Sequence, residues 1–253
     1  MTAFGFLLCI AAMSLGCAET RVSLAQGPRE YVASDYPEVL KKWTRERSLL
    51  TLTEVDDLLT VTATYESWDF RWAYVVKYAQ DYRLTIEQRK VLLDQALRES
   101  EENHLFYVAL YAGGSTRWTD LTRPTSAWVV RLIDELGNET APASIEKVPR
   151  PGPLERRYFP YTTPFRQVFR IKFPRLASDG KSPTISPTAN WLGLRFAGAE
   201  GNQELRWALV VPKTGAPTPN ASPPPAAPVV APSPAASQPS AVAPVITTPK
   251  PAP

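Results

Sequence analysis

Two spacings of apolar residues alternate along the chain from residue 35 onward. Tyr36-Pro37-Glu38 reads as a helix start, with proline in the first turn and Asp35 just before it. Val39, Leu40, Trp43 and Leu50 then recur on roughly one face. LLTVTATY, residues 58–65, is rich in β-branched residues and sets Leu59, Val61, Ala63 and Tyr65 against Leu58, Thr60, Thr62 and Thr64. That alternation predicts a half-buried strand. Trp68 to Leu84 returns to helical spacing, with Trp72, Val75, Val76 and Ala79 as the stripe. Thr85-Ile-Glu-Gln88 is a capping box. It opens a second helix that ends near Glu102 and turns Leu92, Leu93, Ala96 and Leu97 inward, so the two form a helical hairpin.

After His104 the period becomes two. LFYVALYAG (105–113), AWVVRLID (127–134), VFRIKFP (168–174), WLGLRFAG (191–198) and ELRWALVV (204–211) read as strands, and ASIEKV (143–148) as a shorter one. In the third, Phe169, Ile171 and Phe173 face in while Arg170 and Lys172 face out. Gly113-Gly114, Gly137-Asn138, Asp179-Gly180 and Gly201-Asn202 punctuate the strands as turns. The expected fold is α+β: an antiparallel β-sandwich, immunoglobulin-like in general shape. The helical hairpin is inserted between its first two strands.

The ends differ from this body. Ala3 to Leu15, AFGFLLCIAAMSL, has the length of a signal-peptide core and is too short to span a bilayer. Small residues follow, and SLGC resembles the lipobox of bacterial lipoproteins, in which the cysteine after the cleavage point is lipidated. Gly16 and Cys17 fit that pattern; Leu15 stands two residues before the cysteine where the usual order has it three before. The resemblance implies lipid attachment at Cys17. Cleavage after Ala18 or Ala25, giving a soluble exported protein, and a retained N-terminal anchor are the alternatives. The expected divisions are a signal segment at 1–17, a short linker at 18–34, the α+β domain at 35–211 and a tail at 212–253. The tail has 14 prolines in 42 residues and no aromatic or acidic residue. Such a composition predicts disorder with polyproline II bias.

Charge narrows the function. The net charge of +3 includes Lys213 and Lys250, so the body is close to neutral and nucleic acid is not an expected partner. The two cysteines are Cys9 and Cys17, both at the N-terminus, so the exported body is expected to rest on its core without disulfides. The stretch from about residue 30 to 211 carries all seven Trp and all ten Tyr, enough for a core of about one domain.

Candidate chemistry is sparse. Ser144-Ile-Glu-Lys147, Ser178-Asp-Gly180 and Lys213-Thr-Gly215 follow the chain order of the penicillin-binding and β-lactamase motifs. The context opposes that likeness: Pro149 and Pro151 close the first stretch, Asp179-Gly180 lacks the asparagine, and Lys213 begins the tail. His104 is the only histidine. Histidine-rich metal sites are therefore excluded, and a Ser-His-Asp triad would depend on this one residue. At the junction of helix and strand it reads as structural or as a surface residue. Asp56-Asp57 and Glu99, Glu101 and Glu102 read as solvated faces. No cofactor or metal is expected. The candidate binding surface is RRYFPYTTPF, residues 156–165. There Arg156, Arg157, Tyr158, Phe159, Tyr161 and Phe165 stand beside rigid prolines and could form a platform for a peptide or glycan. The other reading of this segment is a crossing loop that lays its rings over the open end of the sandwich.

The blocks FRWAYVVKYAQDYRLTIEQR, HLFYVALYAG and RRYFPYTTPF together resemble bacterial envelope lipoproteins with a domain of unknown function. That resemblance implies no catalytic residue. The expected function is a non-enzymatic binding or assembly module of the cell envelope, held to the membrane by an N-terminal lipid and facing an envelope protein, peptide or glycan. An envelope hydrolase of glycan or peptide bonds and a structural tether to the cell wall are the alternatives.

Overall fold

The computed structural model describes residues 20–50, 57–112, 119–199 and 201–210. Cys17, Asp56, the turn at Gly113-Gly114 and the 212–253 segment lie outside these residues. The described chain is mixed α+β, with two antiparallel sheets and few helices.

Helix α1 (Tyr36–Trp43) begins where the proline signal places it and stops at Trp43. Thr44–Leu50 is strand β1 rather than more helix. Its reason is the next strand, β2 (Asp57–Tyr65), which pairs with it antiparallel. In that register Thr44 meets Thr64, Glu46 meets Thr62 and Ser48 meets Thr60. Thr44 Oγ1 lies 2.7 Å from Thr64 Oγ1, Ser48 Oγ lies 2.8 Å from Thr60 Oγ1, and the Thr62 hydroxyl donates to Glu46. Cross-strand polar pairs of this kind stabilise a sheet that local helical spacing alone would not suggest.

Helices α2 (Trp68–Asp81) and α3 (Ile86–Glu102) follow and pack on each other. Ser67 caps the first, its Oγ accepting from Phe70 N at 3.2 Å. The capping box at the second is formed: Gln88 N donates to Thr85 Oγ1 at 3.2 Å and Thr85 N to Gln88 Oε1 at 3.0 Å. In the α2 stripe Val75, Val76 and Ala79 are buried and Trp72 is half-buried. Because β1 precedes β2, the helical pair separates the second and third strands of its sheet, not the first two.

The remaining elements are β3 (Asn103–Tyr111), β4 (Trp128–Asp134), β5 (Glu139–Thr140), β6 (Ser144–Val148), α4 (Pro153–Tyr158), β7 (Gln167–Pro174), β8 (Trp191–Gly198) and β9 (Gly201–Ala208). One sheet has the order β1-β2-β3-β7-β6 and the other β5-β4-β8-β9. Every strand expected from the period-two pattern is present, and β1, β5 and α4 are additions to it. Gly137 and Gly180 take positive φ, +85° and +66°, at two of the expected turns.

One buried apolar cluster draws on both sheets. Phe106 of β3 and Trp207 of β9 bring their rings within 5.6 Å. The opposite face of the five-stranded sheet is covered as well. Phe159, just after α4, stacks on Tyr107 of β3 at 3.8 Å and 7°. Lys172 of β7 reaches Glu99 of α3 at 3.0 Å, so a residue expected to face out lies under a helix. Thr60, Thr62 and Thr64 are accordingly buried. The middle of β2 is covered on both faces, not on one, and its hydroxyls are tolerated there because they are hydrogen-bonded.

Residues 20–34, within the stretch expected as a linker, pack on the body. Val22 is fully buried and bridges to Leu209, with Val22 N donating to Ala208 O at 2.8 Å and Val210 N to Val22 O at 2.9 Å. A second tie is Asp69 of α2. Its carboxylate accepts from Arg29 Nε (3.1 Å), Tyr31 Oη (2.7 Å), Lys42 Nζ (2.8 Å) and Trp43 Nε1 (3.0 Å). Burial pushes its pKa up, but the Lys42, Tyr31 and Trp43 donors outweigh burial and hold it below the ordinary value. No described helix is long and apolar enough to cross a membrane.

Candidate functional site

The aromatic segment proposed from sequence is divided by the fold. Tyr158 closes α4 and is buried, its hydroxyl donating to Asp81 Oδ2 at 3.0 Å. Phe159 is 4% exposed under its stack with Tyr107. Tyr161 is half-buried, with its hydroxyl 2.6 Å from Thr64 Oγ1. Arg156 and Arg157 are exposed, and Phe165 is 83% exposed. The rings of Phe159 and Tyr161 thus serve the sheet, that of Tyr158 packs on Tyr36, Tyr74 and Tyr78 of the helices, and the surface offered to solvent reduces to the two arginines and Phe165.

The motif-like serines and lysines do not assemble either. Ser144 and Lys147 lie on strand β6, and Lys147 Nζ is held by Asp120 Oδ2 and Gln167 Oε1, each at 2.8 Å. Ser178-Asp179-Gly180 forms a turn in which Asp179 accepts from Lys181 N and Ser182 N, each at 2.9 Å. Lys213 lies outside the described residues. Among the described residues no group of three His, Cys, Asp or Glu is placed to hold a metal ion. Glu101 and Glu102 are exposed, as expected of a solvated face, whereas Glu99 is half-buried and committed to Arg71 (2.9 Å) and Lys172 (3.0 Å).

A different place gathers polar groups around an apolar hollow. It is a recess of about 520 Å³ at the end of the five-stranded sheet where β3 begins and β7 ends. Its walls are Leu24 of the N-terminal strap, Pro183, Ile185 and Pro187 of the loop after β7, and Leu209 after β9. Its polar residues are Ser23, Glu101, His104, Arg175 and Ser186. The loop is held firmly. Ser186 N donates to the buried Asp134 carboxylate at 2.9 Å, and Thr184 N to Arg175 O at 2.9 Å. Burial raises the Asp134 pKa, but the Ser186 and Asn138 donors outweigh it and keep the carboxyl below its ordinary value.

His104 is the second residue of β3 and shares its inward face with Phe106, Val108 and Leu110. It is 3% exposed, not a surface residue. Its Nδ1 lies 2.8 Å from the Tyr65 hydroxyl. Burial, reinforced by the positive charge of Arg175, brings its pKa down from 6.5 to about 3. The ring is therefore neutral at physiological pH.

Arg175 follows the inward series Phe169, Ile171, Phe173 by the same step of two. Its Nε donates to Ser100 O at 2.7 Å. The guanidinium also acts on the Tyr65 hydroxyl: burial pushes that pKa up, and the charge and hydrogen bond of Arg175 oppose the rise. Among the described residues no carboxylate pairs with Arg175. The structure thus brings together a half-buried cation and a neutral imidazole on one apolar recess. The signal in the sequence was parity: His104 and Arg175 each extend an inward-facing alternation with a polar residue. No protein-family model, no curated protein and no solved structure matches the chain.

Proposed function

We propose that this protein is a lipid-anchored binding module of the bacterial cell envelope, attached at Cys17, with the recess at His104 and Arg175 as its ligand site. One observation carries the binding reading. A half-buried guanidinium with no carboxylate partner among the described residues and a buried imidazole share an apolar hollow of about 520 Å³, which is within the usual size of a small-molecule site. Binding is favoured over hydrolysis because a histidine with a pKa of about 3 is a poor general base at neutral pH. Its Nδ1 neighbour is a tyrosine hydroxyl and not an orienting carboxylate. The finer architecture belongs to the same proposal: the two sheets face each other as an antiparallel sandwich of immunoglobulin-like general shape. The support for it is the single cluster that draws on both.

Two measurements test the reading. Palmitate labelling should mark the wild type and be lost in Cys17→Ala; unlabelled mature protein beginning at Glu19 or Gln26 would remove the anchor. A small-fragment screen by NMR should shift resonances at His104, Arg175 and Leu209 together. Hits confined to other surfaces would remove the recess as the site.

A further inference from the structure

The hydrogen-bond order around His104 sets the proton on its ring. The Tyr65 hydroxyl has His104 Nδ1 as its hydrogen-bond partner, and burial raises its pKa, so it keeps its proton beside the Arg175 charge. A guanidinium is only a donor and cannot take that proton. The Tyr65 proton is then left to donate to the nearby His104 Nδ1, 2.8 Å away. A neutral imidazole that accepts at Nδ1 carries its hydrogen on Nε2. Nε2 has no hydrogen-bond partner among the described residues, although the ring is almost completely buried and lines the recess. Among the described residues the buried side-chain atoms left without a partner are Arg71 Nε and Trp72 Nε1; Nε2 is not one of them, so it reaches the recess, where a ligand oxygen can accept from it.

Arg175 adds to that demand. Its charge is half-buried and beside the same ring, and no carboxylate among the described residues neutralises it. Two donors on one recess, one of them cationic, fit a carboxylate, which accepts at two oxygens. The walls fit an aliphatic body, since Leu24, Pro183, Ile185, Pro187 and Leu209 offer no charge. Glu101 is the acidic residue of the lining. It stands at the exposed rim, where water screens its repulsion of an anion.

We infer that the recess binds an aliphatic monocarboxylate, with its carboxylate against the Arg175 guanidinium and the His104 Nε2–H and its chain along Leu24, Ile185 and Leu209. This rests on the binding reading above and names its ligand class. The N-terminal strap supplies one wall, so the ligand and the segment that follows Cys17 share a surface.

The test uses octanoate, octanol and 2-aminooctanoate as probes, with titration calorimetry and ¹⁵N spectra of the single histidine. Octanoate should bind at least tenfold more tightly than octanol and should shift the Nε2 resonance of a ring protonated at Nε2. Arg175→Met should weaken octanoate about tenfold or more, the loss expected for one charge-assisted hydrogen bond, and leave octanol unchanged. Glu101→Gln should tighten octanoate. If octanol matches octanoate, the site is apolar only and the inference fails. If 2-aminooctanoate binds more tightly than octanoate and Glu101→Gln weakens it, the ligand is a zwitterion and the inference fails. Fragments that occupy the recess while octanoate does not would overturn the carboxylate and leave the binding reading standing. Should Arg175→Met not fold, the octanoate-to-octanol ratio and the Nε2 shift in the wild type decide alone.

Discussion

His104 shows how far a single side chain can depart from its intrinsic chemistry. Its folded pKa of about 3 lies below the ordinary 6.5. Between those values the unfolded chain binds a proton that the folded chain refuses. Its contribution to stability is therefore complete above pH 6.5 and is lost as pH falls toward 3, at up to ~1.4 kcal/mol per unit. Going from pH 7 to pH 5 should cost roughly 2 kcal/mol through this group. Urea unfolding at both values should show His104→Gln losing less than the wild type by about that amount. Equal losses would mean that the ring is not held neutral. Phe159 and Phe165 give a second contrast within one short stretch. Phe159→Ala removes the ring stacked on Tyr107 and should cost about 3–5 kcal/mol. Phe165→Ala, at 83% exposure, should stay within about 0.5 kcal/mol of the wild type in the same assay.

Among the elements, β1 and β2 owe their pairing to hydroxyls as much as to apolar faces. Thr64 is the junction: its Oγ1 lies 2.7 Å from Thr44 Oγ1 and 2.6 Å from the Tyr161 hydroxyl. It joins the edge strand and the aromatic segment to the sheet. Thr64→Val keeps the shape and removes the hydroxyl, leaving Tyr161 short of one bond in a buried setting. A loss of ~2 kcal/mol in denaturant unfolding is expected. No change would show that the hydroxyl cluster contributes nothing to the pairing. The capping box of α3 was legible because its two bonds span only three residues. β1 was not legible, because TRERSLL finds its partners twelve to twenty positions away. α4 was hidden for a related reason: a short helix between prolines has too few turns to display a period.

For the whole molecule, the strap of residues 20–34 changes where the stable body begins. Val22 is fully buried against the end of β9, and Arg29 and Tyr31 both bond Asp69. A chain of residues 35–210 should be less stable than one of residues 20–210 by ~2–4 kcal/mol, from one buried valine and the lost bonds to Asp69. Chemical denaturation of the two chains measures this directly. Stabilities within 0.5 kcal/mol of each other would show that the strap lies on the body without contributing to it. The strap also forms a wall of the recess, so the shorter chain should lose octanoate binding together with stability.

Local spacing by itself determined the element types of most of the body. Period two marked seven strands, period 3.6 marked α2 and α3, and Gly137 and Gly180 marked turns, because each of these signals is set by backbone geometry over a few residues. The same locality limited it. Whether LLTVTATY is covered on one face or two depends on what Tyr161 and Arg166 do far along the chain, where they reach Thr64 and Thr62. The aromatic segment carried a composition suited to binding, yet Tyr107 and Thr64 take up Phe159 and Tyr161, and no spacing within 156–165 encodes that. Conversely, His104 and Arg175 are 71 residues apart in number; the sequence placed His104 at a helix–strand junction and did not single out Arg175. Antiparallel pairing of β3 with β7 sets His104 opposite Phe173, two positions before Arg175. That register brings both groups to one end of the sheet. Strand pairing is a non-local choice made by the collapsing core, and only the tertiary structure could turn two separate polar residues into one site.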